Sequence, residues 1–271
     1  MPSFLMTEGK ERTHNYFMEA LRERVLKRGP DSVLFNFFKR QNTEDYGSRS
    51  YWNSRYNTKA DLTNQFEWFL SYDDLRPLLK NIKLDFTDKT KTFVDLGCGT
   101  SMFLRDLKAD GFAGQLIGVD YAENAINDMK KREDCNGIDF IAGDATKISN
   151  LIQNCSFILD KSLIDTMLHN NREDVAKLLK SVAQAIHPNG GKFISVTQLD
   201  PRKKHDLAFL RDFIISNLSN QDNARLCSIK AHMTDSNDSK LPVPTVIVYE
   251  FCKYKPSVGD VIFEIIEYHD E

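Results

Sequence analysis

The sequence predicts an α/β fold built on a doubly wound, mostly parallel sheet, and three observations carry that expectation. From Thr92 onward, short apolar runs alternate with helical stretches, the pattern of a parallel sheet covered on both faces. The first run, Thr92 to Leu96, enters Gly97-Cys98-Gly99, so a strand passes through a tight glycine turn into a helix that starts near Ser101. Asp120 then closes the second run about twenty residues beyond the glycines, where a carboxylate can accept two hydrogen bonds from a ribose.

Residues 14–28 place Phe17, Leu21 and Val25 at four-residue spacing and stop at Gly29-Pro30, which reads as an amphipathic helix with its terminator. The apolar cluster Val33 to Phe38 follows, then a polar link at 41–50. Residues 1–45 are therefore expected to form an α-helical N-terminal extension packed on the main domain. Strands are expected at 92–96, 115–119, 137–141, 155–160 and 191–199. The clearest helix, 173–187, lines up Val175, Leu178, Leu179, Val182 and Ile186 on one face and ends at His187-Pro188-Asn189-Gly190-Gly191. Residues 204–218 read as another helix. Two last strands, 225–233 and 244–254, leave no room for a helix in the polar loop 234–242, so they form an antiparallel edge and bring the sheet to seven strands. The stretch Val261 to Tyr268 fits a strand or a helix, and it lies in a tail, 256–271, with five acids and no Lys or Arg.

A chain of 271 residues suits one α/β domain with an extension. Its net charge of −3 gives no global pull toward nucleic acid or a membrane surface, and neither partner is expected. No apolar run approaches the roughly 18 residues of a membrane span. Glu8, Glu11, Glu19, Glu23 and Asp31 in the first stretch argue against a secretory signal and against a mitochondrial transit peptide, so the cytoplasm is the expected compartment. Cys98, Cys135, Cys155, Cys227 and Cys252 contain no C-x-x-C pair and read as reduced thiols. The six histidines show no metal-ligand spacing, so no metal is expected; a monomer is.

The ligand chemistry narrows further at the glycine turn. A dinucleotide fingerprint needs a third glycine where Met102 stands. The anionic Asp95 before the turn suits a cationic amino-acid ligand better than a phosphate. S-adenosylmethionine, with an ammonium, a sulfonium and a ribose diol, matches all of these features.

Four separated segments now agree with one family. Tyr51-Trp52-Asn53-Ser54-Arg55-Tyr56, Phe66-Glu67-Trp68-Phe69, Asp95 to Ser101 with Asp120-Tyr121, and Leu159-Asp160-Lys161 with Asp165 resemble the seven-stranded protein-lysine methyltransferases. Within that family the resemblance is to those acting on translation elongation factor 1-alpha, with a similar enzyme acting on mitochondrial citrate synthase. It runs from about Tyr46 to Lys255, which leaves 1–45 and 256–271 outside. The resemblance implies a Rossmann-like methyltransferase domain over 46–255, S-adenosylmethionine as donor, and a protein lysine as acceptor, elongation factor 1-alpha first among candidates.

Position by position, the resemblance puts cofactor contacts at Trp52, Tyr56, Trp68, Gly97, Asp120, Tyr121, Asp144, Ala145 and Lys161, beside Asp95 and Gly99 of the glycine turn. Asp120 would hold the ribose, Tyr121 would lie against the adenine, Asp144 would accept from the adenine amino group, and Asp95 would engage the methionine ammonium through water. Trp52, Tyr56 and Trp68 either close over the sulfonium by cation–π attraction or pack the extension onto the core. Lys161 either meets the cofactor or pairs with Asp160 or Asp165.

Asp160 and Asp165 are the candidate catalytic carboxylates. Methyl transfer needs a neutral nitrogen, and a free lysine of pKa about 10.4 is only roughly 0.1% neutral near pH 7.4, a cost of about 4 kcal/mol. A carboxylate can position the amine and take its proton, while apolar walls can depress its pKa. Alignment contributes most, so Asp165 is expected to orient the lysine first. One departure stands out: the family usually reads Asp/Glu-Lys-Gly-Thr-x-Asp, and here Gly-Thr is replaced by Ser162-Leu163. A small-molecule methyltransferase and a non-catalytic S-adenosylmethionine-binding protein are the rival readings. The basic cluster Asp200-Pro201-Arg202-Lys203-Lys204-His205 reads as a solvated loop or as a contact for an acidic protein surface.

Overall fold

Phe93, Val94 and Leu96 are all buried, because the strand they form is covered by helices on both faces. The computed structural model describes residues 4–9, 47–57, 67–82, 84–168, 171–219, 225–234, 244–252 and 261–268. In chain order the elements are β1 (Phe4–Gly9), α1 (Arg49–Arg55), α2 (Tyr72–Asn81), β2 (Thr92–Leu96), α3 (Phe103–Ala109), β3 (Gln115–Asp120), α4 (Glu123–Lys131) and β4 (Asp139–Ala142). Then come α5 (Ile148–Leu151), β5 (Phe157–Lys161), α6 (Leu163–Leu168), α7 (Arg172–Ala185), β6 (Lys192–Thr197), α8 (Lys204–Phe209), α9 (Ser216–Ser219), β7 (Arg225–Thr234), β8 (Thr245–Cys252) and β9 (Val261–Tyr268).

The strands form one sheet in the order β1-β9-β7-β8-β6-β5-β2-β3-β4, with β8 alone running antiparallel to its neighbours. Successive parallel strands leave β2 in opposite directions, toward β3 and β4 on one side and toward β5 and β6 on the other. That reversal opens a crevice at the carboxyl ends of β2 and β5, the place where open α/β sheets bind ligands. Register pairs Leu96 with Asp160 and Asp120 with Ala142, so the ends carrying the candidate site residues stand along one edge.

Alternate residues feed two hydrophobic layers. Phe93 faces α2 and α3, packing against Phe103 and Phe157, whereas Val94 and Leu96 face Val175, Leu178 and Val182 of α7. Helix α7 starts cleanly because the Asn171 side chain accepts from the Asp174 amide at 2.8 Å and Glu173 and Asp174 occupy the positive end of the helix dipole.

The seven expected strands are β2 to β8, with bounds shifted by one or two residues in all but the first. Two more lie beyond them. Val261 to Tyr268 is a strand, pairing parallel with β7 from Ser228↔Ile262 onward, and Phe4–Gly9 pairs parallel with β9. The expected antiparallel pair is present, but β7 is not the sheet edge, because segments from the two ends of the chain cover it. The edge of β7 would otherwise offer a row of unpaired amides and carbonyls, and Phe263, Ile265 and Ile266 bury themselves in closing it. The extension expected to be helical thus opens with a strand, and the acidic tail is partly sheet. The helix expected at 14–28 and the apolar cluster 33–38 lie outside the described residues. The helix expected over 204–218 is α8 and α9 joined by a wider π-helical segment, Leu210–Ile215.

Candidate active site

The glycine turn sets the floor of a cavity at the switch point that opens to solvent. Gly97 and Gly99 have φ of +68° and +49°, values that glycine adopts without a Cβ penalty. The amides of Gly97 and Cys98 both donate to the Val119 carbonyl, at 2.7 and 3.1 Å, which folds the turn over the end of β3. A Cβ at Gly97 would press on Leu163, and one at Gly99 would fall on the Tyr56 hydroxyl. At the end of β3, Asp120 Oδ2 accepts from the Gly99 amide at 2.9 Å and Oδ1 from the Ala122 amide at 2.8 Å. Burial raises the pKa of this carboxyl, while these backbone donors work against the rise. The carboxylate is fixed at the cavity wall, and each oxygen keeps a second lone pair for a diol.

Aromatic rings form the opposite wall. Ser48 caps α1, its hydroxyl accepting from the Tyr51 amide at 3.1 Å, and the helix carries Trp52, with Tyr56 just beyond it, into the cavity lining. Trp68 meets Trp52 edge-on at 5.6 Å, and Trp52 stacks near Tyr56 at 6.3 Å. Both tryptophans of the chain therefore line this one cavity. They also pack against the core, so lining and packing are one arrangement here. Tyr121 lies under the Arg49 guanidinium at 4.9 Å, which ties α1 to the far side of the site.

Lys161, at the end of β5, pairs with neither Asp160 nor Asp165. Its ammonium meets the Glu67 carboxylate, with Ser101 Oγ at 3.0 Å, the Leu70 carbonyl at 3.4 Å and the Phe103 ring at 5.4 Å. Glu67 also accepts from the Ser101 hydroxyl at 2.9 Å and from the Met102 amide at 2.7 Å, so it ties down the start of α3. The Met102 amide, which a pyrophosphate would need, is thereby already held. Sequence reasoning placed Glu67 in a motif but gave it no role, since its lysine partner is ninety-four positions away.

Asp95 is 1% exposed and its Oδ2 has no hydrogen-bond partner among the described residues. Burial pushes its carboxyl up to about 7, with the Lys161 charge working in the opposite direction. A buried acceptor of this kind calls for a donor, and the ammonium of S-adenosylmethionine is such a donor. The glycine cradle, the fixed Asp120 carboxylate and the aromatic wall fit the rest of that cofactor.

The cavity lining brings together Trp52, Tyr56, Trp68, Gly97, Gly99, Asp120, Tyr121, Ala145 and Lys161 of the expected set. It also includes Ser101 of the glycine-turn motif and residues that the sequence did not single out, among them Gly143, Thr166 and Met167. Asp144 does not line it; its Oδ1 accepts from Thr146 Oγ1 at 2.7 Å and from the Thr146 amide at 3.0 Å, shaping the turn that presents Ala145. Asp95, buried on β2, is not part of the lining either.

The two expected catalytic carboxylates are also elsewhere. Asp160 is fully buried, accepting from the Leu163 and Ile164 amides at 2.7 and 3.2 Å and from the Ser195 hydroxyl at 2.8 Å. Asp165 accepts from Thr197 Oγ1 at 2.9 Å and the Gln198 amide at 3.3 Å, on the β6 side of α6. Burial raises the first to about 6 and the second to about 7, the charge of Asp160 adding to the second. The turn between Lys161 and α6 is the reason: it sends Asp165 toward β6, and Leu163, Thr166 and Met167 take the cavity face. Of the basic cluster, Arg202 and Lys203 both pair with Asp200, at 3.0 and 3.9 Å, and His205 meets Asp206 at 2.7 Å, with Lys203 and His205 largely exposed.

A family model described as a methyltransferase domain matches residues 87–240. Among curated proteins, the chain is similar to EEF1A lysine methyltransferase 2 of Danio rerio, 23% identical over 175 residues that cover 61% of this chain and 74% of that protein. It is also similar to protein-lysine N-methyltransferase EFM4 of Saccharomyces cerevisiae, 25% identical over 171 residues covering 56% and 75% of the two chains. Among solved structures, the N-methyltransferase NodS of Bradyrhizobium japonicum WM9 aligns with a TM-score of 0.46 at 13% identity, covering 67% of this chain and 97% of NodS.

Proposed function

This chain belongs to the methyltransferase domain family, and from that premise we propose that it moves the methyl group of S-adenosylmethionine to a lysine side chain of a protein, elongation factor 1-alpha being the first candidate. The cofactor is S-adenosylmethionine. The observation that carries the reading is the Asp120 carboxylate fixed at the switch-point cavity opposite an aromatic wall, with the buried Asp95 carboxylate on the adjoining strand β2. The lysine acceptor is supported by the similarity to two lysine methyltransferases.

In this reading Asp120 takes the ribose diol, Tyr121 and Ala145 flank the adenine, and Asp95 takes the ammonium. Trp52 and Trp68 offer ring faces to the sulfonium. The acceptor enters beside Leu163, Thr166 and Met167, where the apolar wall favours a neutral amine by denying solvent to the charged one. Asp160 and Asp165 then act on this wall from behind: Asp160 fixes the turn through two amides of α6, and Asp165 ties α6 to the end of β6. Positioning, not strong base catalysis, is the main contribution of these side chains.

The test is incubation with methyl-labelled cofactor, first with purified elongation factor 1-alpha and then with a cell lysate, followed by mass spectrometry of any labelled band. Trimmed peptides carrying methyl-lysine support the proposal. Label confined to small molecules, or cofactor binding without transfer, sinks it in favour of a small-molecule enzyme or a binding protein.

A further inference from the structure

Ser162 occupies a position that costs the fold twice. Its φ is +67°, a left-handed conformation shared by only two other non-glycine residues among those described, Phe69 and Asn154. Left-handed backbone is unfavourable for a residue with a Cβ and unremarkable for glycine. Its hydroxyl is also buried: the residue is 1% exposed, and Oγ has no hydrogen-bond partner among the described residues. A buried hydroxyl without a partner loses its hydration and receives nothing in return. Glycine here would carry neither cost.

The backbone is pinned so that the conformation persists. The Ser162 amide donates to the Val196 carbonyl at 3.0 Å, and its carbonyl accepts from the Thr166 amide at 3.0 Å. The residue belongs to the cavity lining, between Lys161, which reaches Glu67 and Ser101, and Leu163, which rests on Gly97, and its hydroxyl lies just behind that surface. This is the β2–β5 end of the cavity. Asp120, Tyr121 and Ala145 mark the other end, at and just beyond the ends of β3 and β4. With the ribose on Asp120, the part of the cofactor left for the β2–β5 end is its amino-acid group.

We propose that Ser162 is a positioning residue whose hydroxyl completes its hydrogen bonding on the amino-acid end of S-adenosylmethionine. A hydroxyl can donate to the carboxylate or accept from the ammonium, and both groups belong to that end. Strain of this kind persists where the surrounding structure and a ligand make use of it. The inference rests on the cofactor assignment made above.

Two ligands separate the possibilities: S-adenosylhomocysteine, which keeps the amino-acid group, and 5′-methylthioadenosine, which lacks it. Because both tryptophans line the cavity, tryptophan fluorescence reads the binding of either one directly. Ser162→Gly and Ser162→Ala should each weaken S-adenosylhomocysteine by about tenfold, the scale of one lost hydrogen bond, and leave methylthioadenosine unchanged. Ser162→Gly should also raise the Tm, since it relieves both costs. The proposal is overturned if S-adenosylhomocysteine affinity is unchanged in both variants, if both ligands weaken equally, or if only the glycine variant weakens. Failure of the unaltered protein to bind either ligand would overturn the cofactor assignment, and this proposal with it.

Discussion

Asp95 shows how one buried side chain can make a site responsive to pH. Its carboxyl is pushed up to about 7, so at neutral pH a large share is protonated before any ligand arrives. A cationic amine favours the ionised form, and binding below that value must first expel the proton. Affinity for S-adenosylhomocysteine should therefore rise as pH increases through about 7, approaching tenfold per unit on the acid side, and then level off. Asp95→Asn should flatten that profile; calorimetric titration at several pH values checks both, and an unchanged slope in the variant would remove Asp95 from the ammonium site. At this scale the sequence was partly legible. The glycine turn was readable because positive φ at Gly97 and Gly99 is a local demand of the backbone, and the structure adds that Asp120 accepts from the Gly99 amide. Asp165 was not, because spacing from Lys161 cannot say which way a left-handed turn at Ser162 sends the next helix.

Among elements, the link between the aromatic segment and the sheet is the Glu67–Lys161 pair. It is mostly buried, with side-chain exposures of 18% and 6%, so removal of one partner strands the other charge. Glu67→Gln should lower the stability by about 3 kcal/mol and weaken cofactor binding, as Trp68 loses its anchor to the start of α3. Adding Lys161→Met should recover much of the Tm without restoring affinity, because the stranded ammonium is gone but the tie to β5 is not rebuilt. Thermal unfolding and tryptophan fluorescence read the two effects separately; full recovery of both would reduce the pair to packing. The elements themselves were well forecast where a period of two or of 3.6 runs uninterrupted, as in β2 and α7. Residues 261–268 were ambiguous because their apolar run is short enough for a strand or a helix, and the choice is made by the open edge of β7.

For the molecule as a whole, the two outermost strands decide where the sheet ends. Removing residues 256–271 would take away β9, expose the edge of β7 and delete the buried side chain of Phe263. A loss of at least about 3 kcal/mol is expected from that ring alone, with concentration-dependent association through the bare edge. Light scattering and unfolding curves test this; a truncated chain as stable and as monodisperse as the full one would show that β9 is dispensable to the fold.

The sequence by itself determined the α/β class, the succession of strands and helices from Thr92 onward, the glycine turn, and the acid that ends β3, because each depends on residues near one another along the chain. The tertiary structure decided what distant segments do to each other: that Lys161 answers to Glu67, that Asp160 and Asp165 brace the wall from behind, and that the chain's two ends lengthen the sheet. The reason is physical. Local spacing fixes backbone conformation and the face a side chain takes, whereas the partner of a buried charge or of an open strand edge is set by whatever the completed fold brings within hydrogen-bonding distance.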